Sequence, residues 1–313
     1  MKKILITGAF GNVGTWLAID LLKNGYEVLA TGTKAQPELF GAIKGITSAA
    51  LDITNLASTT EFIKEHQPTI IIHLASVNDT FIENYAQKAL AVNTQGTRNL
   101  LQAVANSGYQ LEHFLYFSTF HVYGRTLGNI TEETPVAPVH DYASTHFFAE
   151  EYVRQFHRTN QIPYSIFRLS NSYGCPVSKN TTKWYLVLND LAKMAWEKQE
   201  IVLKSNGQPQ RDFIWKENVC QAVAGILAKG PQNTVFNLGS GSTQRLLELA
   251  QEVQKAYQIK TGTLLPIQLN EADKSIHNNE LQFNINKLQT LLGNFTPKQE
   301  MALEATRIFE LLS

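Results

Sequence analysis

Three glycines at intervals of three, Gly8, Gly11 and Gly14, stand between the apolar run Ile4-Leu5-Ile6 and a stretch with helical spacing. No other feature of the chain restricts its folding as strongly. An unbroken apolar run suits a strand buried on both faces. Val13, Trp16, Leu17 and Leu21 then recur at the period of a helix, and Gly25 stands where a helix stops. In Thr7-Gly8-Ala9-Phe10-Gly11-Asn12-Val13-Gly14 each glycine has its own use. The first permits a sharp turn, the second lets a diphosphate approach the backbone, and the third lets helix and strand pack closely. Free N–H groups and the helix dipole make such a turn an anion site.

The same alternation continues down the chain. Tyr26 to Thr31, Ala49 to Ile53, Thr69 to Leu74, His113 to Ser118 and Tyr164 to Leu169 read as strands. Leu56 to Glu65, about Ala86 to Ser107, and Tyr142 to Thr159 read as helices. This predicts an α/β fold, a doubly wound parallel (Rossmann) sheet with helices on both faces. Ligands of such sheets bind at the carboxyl ends of strands. Those ends carry Thr7-Gly8, Asp52, His73 to Asn78, Ser118 to Tyr123 and Leu169 to Gly174. Beyond Gly174 the pattern loosens, with helical stretches at Trp184 to Lys198, Lys216 to Ala228 and Gln244 to Tyr257. We expect a dinucleotide-binding domain over 1–170, with 213–238 returning to it, and a smaller C-terminal substrate-binding lobe over 171–212 and 239–313.

Composition limits the partners. Lys plus Arg and Asp plus Glu each number 27, so the formal net charge is zero and no broad attraction to nucleic acid or anionic lipid exists. Two cysteines, Cys175 and Cys220, are too few for a metal framework and suit a reducing cytosol. The opening Met1-Lys2-Lys3 precedes an apolar run too short for a signal peptide, and no stretch approaches the ~18 apolar residues of a membrane span. The expectation is a cytoplasmic protein with no nucleic-acid or membrane partner. No metal site is expected either: the eight histidines form no H-x-H or H-E-x-x-H pattern, and His146 and His157 lie about 16 Å apart along a helix. Glu132-Glu133 and Glu150-Glu151 read most simply as solvated pairs, while Trp184, Tyr185 and Trp196 fit either a core or a ligand-lining role.

With Thr7 before it, the G-x-x-G-x-x-G spacing resembles the short-chain dehydrogenase/reductase superfamily. Further segments resemble its extended branch, the nucleotide-sugar epimerases, dehydratases and reductases. They are Leu51-Asp52-Ile53, His73-Leu74-Ala75, Asn93-Thr94-Gln95-Gly96-Thr97 and Ser118-Thr119-Phe120-His121-Val122-Tyr123-Gly124, then Arg168 to Gly174, Arg211-Asp212-Phe213-Ile214 and Asn237-Leu238-Gly239-Ser240-Gly241. The resemblance implies roles. Gly8, Phe10, Gly11, Asn12, Val13 and Gly14 would hold the cofactor diphosphate. Asp52 and Ile53 would flank the adenine, and Leu74, Ala75 and Asn93 would line the cofactor path. Thr119 takes the family's Ser/Thr position toward the sugar oxygen, and Tyr142 that of the catalytic tyrosine. Asn171 and Arg211 would contact the diphosphate of a sugar nucleotide, with Asn78 and His121 also facing the substrate. Two long helices, about Ala86 to Ser107 and Tyr142 to Thr159, imply a homodimer.

Physical reading refines this picture in three places. After the second strand, an acid would bind both ribose hydroxyls and repel a 2′-phosphate. Gly32 stands there instead, with Lys34 nearby, which leans toward NADP while allowing NAD. The family pairs its tyrosine with a lysine four residues later, but here Tyr142-Ala143-Ser144-Thr145-His146 places histidine there. Positions four apart share a helix face. A lysine cation would lower a tyrosine pKa from ~10, whereas a free histidine titrates near ~6.5 and offers fewer donors. His146 is then a protonated stand-in beside the cofactor, or another group supplies the charge, or redox chemistry has been lost. Finally, Phe120 and His121 stand where sugar dehydratases carry an acid pair. Phe120 cannot protonate a leaving hydroxyl, so dehydration is disfavoured, while His121 is a candidate acid or base.

These readings converge on an NAD(P)-dependent oxidoreductase of a nucleotide-linked hexose. The favoured reaction is 4-keto sugar reduction, with Thr119, Tyr142 and His146 as catalytic residues and Tyr142 as acid. A nucleotide-sugar 4-epimerase is the alternative. A catalytically degenerate dinucleotide-binding or regulatory protein is the reading of another class.

Overall fold

The apolar runs become the central strands of one sheet. The computed structural model describes residues 2–40, 43–79, 82–274 and 280–313. The chain opens with β1 (Lys3–Thr7), α1 (Gly14–Lys23), β2 (Glu27–Gly32), β3 (Ile46–Ala50), α2 (Leu56–His66) and β4 (Ile70–His73). A helical stretch follows as α3 (Tyr85–Ala89), a π-helical segment (Leu90–Gly96) and α4 (Thr97–Ser107). β5 (His113–Thr119) runs into a 3-10 turn over Phe120–Tyr123, followed by β6 (Gly128–Ile130), α5 (Asp141–Asn160) and β7 (Tyr164–Leu169). Then come β8 (Asn171–Tyr173), α6 (Val187–Lys198), β9 (Ile201–Val202), β10 (Gln210–Trp215), α7 (Lys216–Lys229) and β11 (Val235–Leu238). Last are β12 (Thr243–Arg245), α8 (Leu246–Thr261), β13 (Ile267–Gln268), β14 (Leu281–Phe283), α9 (Asn286–Leu292) and α10 (Met301–Leu312).

The sheet has seven strands in the order β11-β7-β5-β4-β1-β2-β3. Neighbours from β7 to β3 pair in parallel. The chain winds outward from β1 in both directions, so the switch point, the place where doubly wound sheets bind their ligands, lies between β1 and β4. This is the doubly wound Rossmann sheet that the alternation predicts.

Two compact units divide the described chain: Met1–Arg125 with Thr134–Leu169 and Cys220–Asn237, and Thr126–Glu133 with Ser170–Val219 and Leu238–Ser313. In the first, Leu5, Ile71, Leu100, Phe114, Tyr116 and Ile166 belong to one buried cluster between sheet and helices. In the second, α6, α8 and α10 bury Leu191, Leu249, Val253, Ile308 and Phe309. Trp196 and Trp184 pack against that cluster, and the Trp196 ring stacks on Phe309 at 5.4 Å, whereas Tyr185 is exposed. Both tryptophans are partly buried against this core.

Two local expectations shift. The third strand is Ile46–Ala50, not Ala49 to Ile53. It is an edge strand with a weak burial pattern, and the apolar signal came from Leu51 and Ile53, which bury from the loop after it. The long helix from about Ala86 contains a π-helical segment over Leu90–Gly96. Its side chains are tethered outward: Thr94 Oγ1 donates to Thr145 O at 3.0 Å, and Asn93 bonds Val77 and Thr145. Such tethers fit a local widening of the helix.

Candidate active site

The glycine turn is closed by backbone packing. Gly8 follows β1 with φ of 70°, and a Cβ there would lie 2.7 Å from Ala75 N. Its carbonyl accepts from Gly11 N at 3.1 Å, and the Gly11 carbonyl accepts from Thr15 N at 3.1 Å. A Cβ on Gly14 would strike Gly8 O and lie 2.7 Å from Ala9 Cα. No side chain caps the start of α1, and the positive end of the helix dipole there suits an anion. This cradle fits a dinucleotide diphosphate. We expect Gly14→Ala to cost on the order of 2–3 kcal/mol, because only backbone could move aside. Thermal melting and dinucleotide titration of the variant check this, and wild-type values in both would refute it.

The other expected cofactor positions surround the same strand ends. Leu74 N donates to Thr7 O at 3.1 Å, which brings Leu74 and Ala75 against Gly8. At the end of β2, a Cβ on Gly32 would lie 2.7 Å from Cδ2 of Phe10, so this ring covers the position where an acid would stand. Lys34 is exposed. Asp52 is exposed and accepts from Thr54 N at 3.0 Å and Thr54 Oγ1 at 2.7 Å, while Ile53 is buried. Asn93 is buried; its Oδ1 accepts from Val77 N at 2.7 Å and its Nδ2 donates to Thr145 Oγ1 at 3.1 Å. Its amide thus fixes the segment leading to the exposed Asn78.

His73 joins these ends from inside. Its Nδ1 lies 2.5 Å from Thr7 Oγ1 and its Nε2 2.8 Å from Thr97 Oγ1. Thr97 already donates to Asn93 O at 2.6 Å, so it accepts from His73 Nε2–H, and Thr7 donates to Nδ1. Burial, assisted by His146, lowers the His73 pKa to about 3.

Aromatic rings gather around Tyr142, in the first turn of α5. His140 caps that helix, its Nδ1 accepting from Ala143 N at 3.2 Å. Ring centroids of His146, His121 and His140 lie 4.5, 6.1 and 6.3 Å from that of Tyr142. Thr119 ends β5, and its Oγ1 accepts from His121 N at 3.2 Å. The structure therefore gathers Tyr142, His146 and His121, which are spread over 26 positions in sequence.

His146 is 3% exposed, with Nδ1 2.7 Å from the Tyr116 hydroxyl. Burial lowers its pKa to about 4, opposed by Glu150 and assisted by His121. The imidazole is uncharged at neutral pH, so this environment does not favour the protonated stand-in. One turn later comes Glu150, fully buried. Its carboxylate accepts from Arg168 Nε at 3.0 Å and Nη2 at 2.7 Å, Ser118 Oγ at 2.6 Å and Arg154 Nη2 at 2.9 Å. Burial opposes its charge, but the bonds and charge of Arg168 prevail and hold the carboxyl below its usual range. Reading Glu150-Glu151 as a solvated pair is thus half wrong: Glu151 is exposed and pairs with Arg154, while Glu150 lies in the core. The usable signal was Arg168, the one charged residue in the buried strand β7.

In the second unit, Asn171 and Arg211 lie on paired strands, Asn171 opposite Phe213. Asn171 Nδ2 donates to Asp212 O at 2.9 Å. Arg211 is half-buried and donates to Gln210 O at 2.8 Å, and burial lowers its pKa. Sequence reading missed Asp212 as the anchor of this segment. It is buried and accepts from Ser170 Oγ at 2.5 Å, Ser240 N at 2.9 Å and Gly241 N at 2.9 Å. Among the described residues no group of three or more metal-ligating side chains occurs, and no helix is long and apolar enough to cross a membrane.

Known proteins resemble the chain along most of its length. The model of a family described as "NAD dependent epimerase/dehydratase family" matches residues 4–239. The dTDP-L-rhamnose 4-epimerase of Burkholderia thailandensis is 25% identical, covering 82% of this chain and 81% of that protein. A dTDP-glucose 4,6-dehydratase of Xanthomonas campestris pv. campestris is 28% identical, covering 81% and 75%. Among solved structures, UDP-glucuronic acid 4-epimerase from Bacillus cereus, in complex with UDP-glucuronic acid and NAD, superposes with a TM-score of 0.79 at 22% identity, covering 99% and 98% of the two chains. At that identity the likeness is one of fold.

Proposed function

The chain belongs to the NAD dependent epimerase/dehydratase family, and we propose that it is an NAD(P)-dependent oxidoreductase of a nucleotide-linked hexose, reducing a 4-keto sugar with Tyr142 as acid. The uncharged, buried imidazole of His146 beside Tyr142 carries this reading. A phenol keeps its proton at neutral pH unless a cation stabilises the anion. Ketone reduction needs an acid at this point, whereas alcohol oxidation needs a base.

When bound, the reduced dinucleotide supplies the hydride. Gly8, Phe10, Gly11, Asn12, Val13 and Gly14 hold its diphosphate, Asp52 and Ile53 flank the adenine, and Leu74, Ala75 and Asn93 shape the path to the reacting end. Thr119 orients the substrate oxygen, Tyr142 delivers a proton to it, and His146 supports tyrosine and cofactor. Asn171 and Arg211 hold the substrate diphosphate. Arg211 suits an anion because its half-buried cation forms no ion pair among the described residues. Asn78 and His121 face the sugar. The Phe10 ring over Gly32 excludes a ribose-binding acid, and Lys34 favours a 2′-phosphate, so NADP is preferred over NAD. Phe120 is buried and offers no proton, which argues against dehydration. Exposed Leu90 and Phe148 on the helical segments support a homodimer.

A second reading, a nucleotide-sugar 4-epimerase, draws support from the 4-epimerases among the similar proteins. The deciding experiment follows NADPH and NADH consumption with a panel of nucleotide-linked 4-keto-6-deoxyhexoses carrying different bases, and 4-epimer formation from the alcohols. Turnover of one keto sugar, faster with NADPH, is expected. Epimer formation without net consumption replaces it with the second reading. Tight dinucleotide binding with neither leaves a regulatory, non-catalytic protein.

A further inference from the structure

We infer that Tyr116 is a positioning residue of this site: its hydroxyl donates to Nδ1 of His146 and so fixes the imidazole Nε2–H as a donor to an acceptor oxygen of the bound dinucleotide. This rests on the dinucleotide-dependent reading above, but not on the choice of sugar reaction.

Two polarities are possible for the 2.7 Å contact between Tyr116 Oη and His146 Nδ1. Tyr116 is 2% exposed and forms no other hydrogen bond among the described residues. If Nδ1–H donated, the phenol hydrogen and the Nε2 lone pair would both be buried without partners. If the phenol donates, its hydrogen is satisfied and only one atom remains open, the Nε2–H. Buried polar groups are nearly always paired, so the second polarity prevails. Burial and the nearby Glu150 carboxylate keep the phenol protonated, consistent with a donor.

The open atom lies in a defined place. Nε2 is buried and has no hydrogen-bond partner among the described residues. The titratable neighbours are Tyr142 and Glu150 on α5, Tyr116 on β5, His73 on β4 and His121 on the 3-10 turn. Glu150 is occupied by Arg168, Ser118 and Arg154, and His73 by two threonines. An orphaned buried donor beside Tyr142 fits an oxygen that arrives with a ligand. A lysine would offer three mobile donors and a charge. Here there is one donor, uncharged and aimed through its tautomer, and Tyr116 does the aiming.

Nitrogen NMR of histidine-labelled, ligand-free protein at neutral pH reads the tautomer directly. We expect His146 with a protonated Nε2 and a bare Nδ1. Tyr116→Phe should yield a mixture of tautomers and weaken dinucleotide binding about tenfold. In a His146→Lys background the same Tyr116→Phe change should leave affinity unaltered, since no tautomer remains to be fixed. A protonated Nδ1 in the wild type overturns the inference, as does an unchanged tautomer or affinity in Tyr116→Phe. An equal loss in both backgrounds overturns it too, by reducing Tyr116 to a packing role. Should Tyr116→Phe fail to fold, the wild-type spectrum still decides. Absence of sugar turnover would remove the proposed reaction without touching these readouts.

Discussion

Tyr142→Phe is expected to lower turnover by about 10³-fold while leaving dinucleotide affinity essentially unchanged. The substitution removes only the hydroxyl. The ring remains edge-on to His146, with centroids 4.5 Å apart, so the packing around the site persists. What disappears is the proton that the proposed reaction places on the substrate oxygen. Steady-state kinetics and a dinucleotide titration on the same preparation separate the two effects, and a fully active variant would take Tyr142 out of the mechanism. His146→Lys extends the test. If the neutral imidazole is adapted to an acid tyrosine, the change brings little gain or a loss of reductase activity. If the site is degenerate, restoring lysine makes turnover appear or rise sharply.

Stability should fall steeply on the acid side well before ordinary carboxylates titrate. Among the described residues three histidines are buried: His73 and His146 in the site, and His113 on β5, whose Nε2 lies 3.0 Å from Ser165 Oγ. Burial is the largest cause in each, lowering His73 to about 3 and His113 and His146 to about 4, from a reference of 6.5. The unfolded chain therefore takes up protons below pH 6.5 that the native chain refuses. Their contribution to stability is full above that pH and declines as pH falls toward the native values. At pH 5 each histidine costs about 2 kcal/mol, together about 6 kcal/mol. That is comparable with the whole stability of a typical domain. Denaturant unfolding between pH 7.5 and 4.5 should show stability dropping with a slope that steepens below pH 6.5 and approaches three protons near pH 5. A flat profile from pH 7 to 5 would contradict the buried neutral state of these rings.

The legible part of this protein is the part encoded over short distances. The glycine turn could be read because Gly8 and Gly14 answer to backbone atoms within the same few residues or in the adjoining strand end. Unbroken apolar runs marked β1, β4 and β5 because strands buried on both faces tolerate little else. Edge strand β3 was misplaced for the converse reason: half of its surface is open, and nearby Leu51 and Ile53 mimic a strand while burying from a loop.

Charge state and hydrogen-bond polarity could not be read that way. That histidine follows Tyr142 by four residues is a fact of sequence, but its neutrality depends on burial at 3% exposure and on a tyrosine thirty positions earlier. Glu150 looked like a surface acid because nothing local distinguishes it from Glu151. Only the packing of α5 over β5 and β7 brings Ser118 and Arg168 to its carboxylate. By itself the sequence determined the winding of the sheet, the anion-binding turn and the residue types available for chemistry, since these follow from local backbone geometry and hydrophobic period. Tertiary structure decided which of those residues carry charge and which atoms remain open to a ligand, because desolvation and hydrogen bonding are set by neighbours distant in the chain.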